Sequence, residues 1–477
     1  MKELQLCVGY PSLCATRYLR LATAGRARHR PSWANRGTLN QINLHELHLW
    51  RTVTLVLLCL VVCVLPLRAA SLIGLGSFLE SSYPFSEAWG ISPDGQVVVG
   101  VSGSPKSAFR WSLAAGMTNL GDPPAGNYRG ADAASAASWN GSVVVGTLDD
   151  TSYGEACRWQ ADQGLTALGD LPGYVDESGA LGVSSNGNII VGYGRTALGL
   201  EACRWTKDGG LLGLGDLPGG RYESTARGIS ANGSVIAGYG YSSNGYEAFR
   251  WTQVNGMVGI GDLPGGIFDS SASAISADGL VIVGASQSSN GFEAFRWSQA
   301  GGMVGLGDLP GGAFYSIAHG VSSNGTVVVG SAYTGLGREA FCWTPSRGME
   351  RLWDLIVAQG IDPTADGWAV LTRAYGVSAD GRRVVGYGTR NARTEAFYFD
   401  FDGSTPLPRL GPATLEFGTL QLPLRGLPGR ALEVEVSDDL RNWRFLESIP
   451  LDRAGAATFW DSTPNLERNF YRAKMVP

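Results

Sequence analysis

Beyond residue 70 this 477-residue chain holds one histidine, His319. A Ser/His/Asp triad or a histidine zinc site would have a single imidazole to build on. No CxxC or Cys/His spacing suggests a metal site either. Carboxylates are plentiful, and two suitably placed ones are enough for glycoside hydrolysis. But Glu155, Glu201, Glu247, Glu293, Glu339 and Glu395 recur at one register. A catalytic acid is needed once, so a residue that returns in unit after unit reads as scaffold. Asp170, Asp216, Asp262 and Asp308 each open an Asp-Leu-Pro-Gly phrase, with Asp122 and Asp354 in degenerate copies. Calcium takes six or more oxygens, and each phrase supplies one carboxylate. These aspartates are expected to cap backbone N–H groups of their turns, or to pair with Arg158, Arg204, Arg250 and Arg296. No catalytic residue, metal site or cofactor is expected.

The opposite pattern, variation inside a constant frame, marks a second set. Five residues before each Asn-Gly or Asp-Gly pair the chain reads Trp89, Ser135, Leu181, Arg227, Ser273, His319 and Tyr375. The flanking positions barely change. A ring of such residues facing one opening would read a ligand, so Trp89, Arg227, His319 and Tyr375 are candidate binding residues. Tyr222, Phe268 and Phe314, which follow the Asp-Leu-Pro-Gly-Gly phrases, are a second candidate group, able to stack on a sugar or a partner side chain.

The frame that must position them is a repeat. The pairs stand at Asp94, Asn140, Asn186, Asn232, Asp278, Asn324 and Asp380, in steps of 46 residues with a last step of 56. Each precedes a β-branched run such as Val97–Val99 or Val281–Val283, and a later short strand ends in Trp111, Trp159, Trp205, Trp251, Trp297, Trp343 or Phe399. Four strand-like pieces per period is the size of a propeller blade. In residues 216–261 they are Ser224–Ser230, Ser234–Tyr239, Glu247–Trp251 and Met257–Gly261, with Asn232-Gly233 as a two-residue type I′ hairpin. The fold expected is all-β, a seven-bladed β-propeller of 46-residue repeats over 71–405. Residues 72–77 match the fourth-strand phrase and have no earlier partner, so they can complete the last blade. The ten additional residues of unit seven suggest a short helix from Leu352, stopped at Gly360. Since the Asn-Gly turns are short, recognition is expected on the opposite face, where the connections are longer.

The phrases Gly-Leu-Gly-Asp-Leu-Pro-Gly-Gly (213–220 and 305–312), Gly-Ile-Ser-x-Asn-Gly and Glu-Ala-Phe-Arg-Trp resemble the HAF-repeat family of probable extracellular repeat proteins over about residues 72–400. The resemblance implies export and tandem β repeats, and no established activity. Units one and two depart from the pattern, with Gly76-Ser77 for Gly-Asp and Pro123 for Leu.

Residues 52–67 form an apolar run behind Arg51 and end in small residues at Ala69-Ala70-Ser71, as a secretory signal does. Residues 1–70 are therefore expected to be an N-terminal extension and signal, with 1–48 lacking any folded pattern. Residues 71–477 hold 28 basic and 40 acidic residues, a formal net charge of −12. An acidic surface excludes nucleic acid and anionic membranes as natural partners; contact with a membrane is expected only through the signal or anchor segment. Cys157 and Cys203 take the place held elsewhere by Phe249, Phe295 and Phe341, so cysteine fills a small apolar site. Residues 412–477 lose the glycine phrase and alternate as strands near Leu432–Val436, Arg444–Leu446 and Ala457–Trp460, a small β-sandwich-like module similar to those ending some secreted bacterial proteins. Together these features point to a monomeric, secreted or cell-surface scaffold that binds an extracellular glycan or protein without catalysis. A secreted polysaccharide hydrolase or lyase is the alternative.

Overall fold

The computed structural model describes residues 6–7, 70–78, 83–121, 131–148, 154–173 and 175–401. In the C-terminal region it describes 409–410, 414–416, 419–425, 431–437, 443–450, 456–462 and 470–475. The apolar run 52–67 lies outside these. Within 1–48 only Leu6–Cys7 is described, pairing with Phe470 and Tyr471.

The fold is a β-propeller of seven four-stranded antiparallel units. Unit four shows the plan, with an inner strand Gly219–Ile229, a second Val235–Ser242, a third Gly245–Thr252 and an outer Gly256–Gly259. The inner strand starts five residues before the segment the alternation suggests. It pairs there through Gly219 with Ser242, and beyond that its residues meet the preceding unit. The seventh unit is completed from the other end of the ring. Ser71–Gly74 pairs antiparallel with Phe397–Asp400, which removes that unit's free edge.

A chain of backbone hydrogen bonds links the units around the axis. The N–H of Trp139 donates to Ser185 O (3.0 Å), and so on through Ala231, Ala277 and Ser323 to Ala379, whose N–H donates to Pro93 O at 2.8 Å. Pro93 has no N–H to give, and Asp94 donates in its place to Trp139 O at 3.1 Å. This collar explains a departure from the expected hairpin. Among the four residues 231–234 only Gly233 has positive φ, at 76°, and the N–H of Ser230 returns to Val235 O. The connection is thus a four-residue loop rather than a type I′ pair, because the residue before each Asn is held by the collar. Each loop is fixed from within: Ser230 Oγ donates to Asn232 Oδ1, which accepts from the N–H of Ser234.

The opposite face also differs from expectation. In units four to seven the second and third strands join through two-residue turns, Ser243-Asn244, Ser289-Asn290, Gly335-Leu336 and Asn391-Ala392. Asn391 and Ala392, at φ 48° and 60°, adopt the doubly left-handed form expected at the other end. The connections between second and third strands are therefore not the longer ones in these units.

The core lies between neighbouring sheets. Val191 and Ala202 of unit three, for example, pack with Ile236, Phe249 and Trp251 of unit four. Cys157, Cys203 and Cys342 are buried free thiols. Burial pushes Cys157 and Cys342 up to about 12, as suits space-filling cysteines. A helix, Leu352–Ala358, and a 3-10 turn, Pro363–Asp366, occupy the lengthened seventh period and bury Leu352, Leu355 and Ile356. The C-terminal region forms sheets around Leu420, Leu422, Leu432, Val434, Phe459 and Tyr471.

Candidate functional site

Every inner strand carries a β-bulge, and the bulged residue is the variable one. The register slips between Ala88 and Gly90, Ala134 and Ala136, Ala180 and Gly182, Ala226 and Gly228, Ala272 and Ala274, Ala318 and Gly320, and Ala374 and Gly376. A bulge leaves one residue without a cross-strand partner and re-aims its side chain. Trp89, Ser135, Leu181, Arg227, Ser273, His319 and Tyr375 are thereby released from the pairing that constrains their neighbours. The bulge also brings a carbonyl close to the second strand. A Cβ on Gly238 would lie 2.0 Å from Thr225 O, and one on Gly330 2.0 Å from Ile317 O. That accounts for the glycine ending each β-branched run.

Below the variable tier, toward the Asn-Gly loops, the channel is apolar. Residues such as Ile229, Val321 and Val377, with the collar itself, line a cavity of about 110 Å³. Trp139 stands at its rim, half exposed.

The variable tier is polar and aromatic. His319 and Tyr375 lie 4.7 Å apart between ring centroids, and Tyr375 is 6.0 Å from Tyr387. His319 Nε2 is 3.2 Å from Ser331 Oγ. Arg373 donates from Nη1 to the Tyr375 hydroxyl at 3.0 Å. The exposed Arg227 lies 5.5 Å from the Tyr239 ring. Burial, then the charges of Arg373, Arg227 and Arg338, hold the His319 imidazole far below its usual range, at about 3. Arg227 belongs to unit four and His319 to unit six, so the two act on each other across the channel rather than along a seam. At Tyr239, burial pushes the phenol up, but the charge and hydrogen bond of Arg227 outweigh it and the net shift is downward.

Of the candidate residues, the structure brings Arg227, His319 and Tyr375 together. Trp89 shares their tier, with its indole N–H donated to Glu87 at 3.0 Å. Tyr222, Phe268 and Phe314 lie elsewhere. They are half-buried along the seams between units, their carbonyls against Gly199, Gly245 and Gly291 of the preceding unit. Burial, followed by the Glu201 carboxylate across the seam, raises the Tyr222 phenol to about 12. Arg338, Arg373, Tyr239 and Tyr387 were not apparent from sequence. A signal for two of them was present: the residue after each Val-Gly or Ala-Gly of the second strand also varies (Val101, Thr147, Tyr193, Tyr239, Ala285, Ser331, Tyr387).

The repeated acids serve the frame. Glu155, Glu201, Glu247 and Glu293 each accept from the backbone N–H of a glycine fourteen residues on, at 2.9–3.1 Å. Glu395 does the same for Gly76 across the closure. In unit six Trp353 stands where those units have the donating glycine, and Glu339 pairs with Arg351, which sits at the register of Gly213, Gly259 and Gly305. Asp216 and Asp308 accept from the N–H of Glu223 and Tyr315, at 3.1 and 2.9 Å, the capping role expected of them. Arg296 reaches Gly325 O of the next unit's loop. Among the described residues no three His, Cys, Asp or Glu side chains stand close enough together to hold a metal ion, and no helix is long and apolar enough to cross a membrane.

No family model and no curated protein matches the chain. Several solved structures are similar to part of it. TolB from Acinetobacter baumannii is 16% identical, with a TM-score of 0.34; the match covers 49% of this chain and about half of that one (53%). An oligogalacturonate lyase in complex with manganese is 9% identical over 70% of this chain and 93% of its own, and one from Vibrio parahaemolyticus is 8% identical over 70% and 97%, both at a TM-score of 0.43. Likeness at this level concerns fold and carries nothing about ligand or chemistry.

Proposed function

We propose that this chain is a secreted or cell-surface β-propeller of the HAF-repeat kind that binds an extracellular glycan or protein in its channel without transforming it. One observation supports this above the others. In a frame repeated down to single hydrogen bonds, the bulged, channel-side register differs from unit to unit, and there Arg227, His319 and Tyr375 gather. A scaffold that holds its backbone constant and varies one ring of side chains is suited to recognition. A polysaccharide hydrolase or lyase has less to draw on, since the recurrent glutamates are engaged with backbone N–H groups.

The test is a glycan array probed with the full chain, run beside hydrolysis assays on every sugar retained. Retention without turnover is expected, and retention should be lost in a Trp89→Ala, Arg227→Ala, His319→Ala triple variant that still unfolds cooperatively. Turnover by the wild type would replace the proposal with the enzymatic alternative. Retention undiminished in the triple variant would exclude the channel as the binding site.

A further inference from the structure

The chemistry of the ligand follows from arginines left without an ion pair in the channel, on the reading that the channel is where a ligand binds. Elsewhere in the ring, arginines near a carboxylate use it: Arg195 pairs with Glu177, Arg351 with Glu339, Arg383 with Asp400 and Arg390 with Glu395. Arg227, Arg338 and Arg373 form no ion pair among the described residues; Glu87 acts on Arg373 without pairing with it, and all three arginines bear on His319. Their neighbours are phenols. Arg338 lies 4.8 Å from the Tyr333 ring and 5.8 Å from that of Tyr315, and donates to the Tyr333 hydroxyl at 3.0 Å. Arg373 has its Nε buried without any hydrogen-bond partner.

Three like charges converging on one half-buried imidazole repel one another, and a buried donor left unmade costs stability. Folding alone gives no reason for this arrangement in a chain whose part beyond residue 70 is strongly acidic. An anion placed among the three guanidinium groups relieves both costs at once. The fork of an arginine matches a carboxylate, which it can hold through two parallel hydrogen bonds. The rings of Tyr375, Tyr387 and Tyr333 add flat apolar faces edged with hydroxyls, the surface that a pyranose stacks on and hydrogen-bonds to.

We propose that the upper channel is an anion site for a carboxylate-bearing sugar, a hexuronate unit held by Arg227, Arg338 and Arg373 against the tyrosine faces.

The experiment is calorimetric titration of the full chain with three probes: a hexuronate tetrasaccharide, the same saccharide with its carboxyls reduced to hydroxymethyl groups, and an acidic peptide of equal charge. The hexuronate should bind at least tenfold tighter than either of the others and weaken as salt is raised. Arg373→Gln and Arg227→Gln should each cost tenfold or more. Arg227 is exposed, so its variant keeps the test open if Arg373→Gln fails to fold. Equal affinity for the charged and reduced saccharides overturns the anion site while leaving a sugar-binding propeller. Tighter binding of the peptide overturns the ligand class, and hexuronate affinity unchanged in both variants overturns the location. If none of the three binds, the hexuronate assignment falls; the broader reading of a binding channel falls with it only when the glycan array is blank as well.

Discussion

His319 is a histidine kept from acquiring charge. Burial of its ring, and then the charges of Arg373, Arg227 and Arg338, lower its pKa to about 3. The consequence for stability has a definite sign. Above the ordinary histidine pKa of about 6.5 both folded and unfolded chains carry it neutral, and it has no effect. As pH falls below that value the unfolded chain takes up a proton that the folded one refuses, so stability declines until the folded pKa is reached. Between pH 6.5 and 4 the wild type should lose on the order of 1 kcal/mol more than His319→Gln, after discounting for solvent at a half-buried site. Denaturant unfolding of both proteins across that range checks this; parallel curves would show that the imidazole titrates normally.

At the scale of the element, the bulge ties sequence to site. The period, the strand count and the loss of pattern after residue 400 follow from turn residues and β-branched runs, which are local signals, and the ring matches them. The bulge was not legible in the same way, because it is a tertiary feature written in two strands at once: a variable residue in one and a glycine, such as Gly238, in the other. Arg338 and Arg373 were missed for a related reason, since nothing local distinguishes an arginine that pairs from one left unpaired across a channel. The turn faces are exchanged relative to expectation because an Asn-Gly pair suits both a type I′ turn and the longer loop that the collar requires. A Cβ at position 238 would meet Thr225 O at 2.0 Å and Ala226 Cα at 3.0 Å. Gly238→Ala should therefore destabilise the protein by about 3 kcal/mol through overpacking. Gly256, whose φ is 65° and whose Cβ would meet nothing within 4 Å, should cost only about 1 kcal/mol as alanine, for its left-handed backbone alone. Chemical denaturation of the two variants side by side reads the difference, and equal costs would refute the close approach.

For the whole molecule, one short strand decides whether the ring is closed. Ser71–Gly74 supplies the outer strand of unit seven, and Leu72 and Leu75 are buried against it and unit one. The inner edge of the same closure is held by Ala379 N–H to Pro93 O and by Ala396 N–H to Ser86 Oγ at 3.0 Å. Deleting residues 71–76 leaves those inner bonds but exposes the edge of Phe397–Asp400. Removing Leu72 and Leu75 from the core costs on the order of 4 kcal/mol, and an unpaired edge invites association with a second chain. The truncated protein should melt lower and scatter light in proportion to its concentration, while a monomeric truncation with an unchanged midpoint would mean that the strand is ornamental. The same strand limits where a signal peptide could be removed. A cut after Ala70 leaves the closing strand whole, whereas a cut beyond Leu72 takes a buried leucine with it. If the chain is exported as proposed, the mass of the mature protein should place its first residue at or before Ser71, and a start inside Leu72–Gly76 would contradict either the export route or the closure.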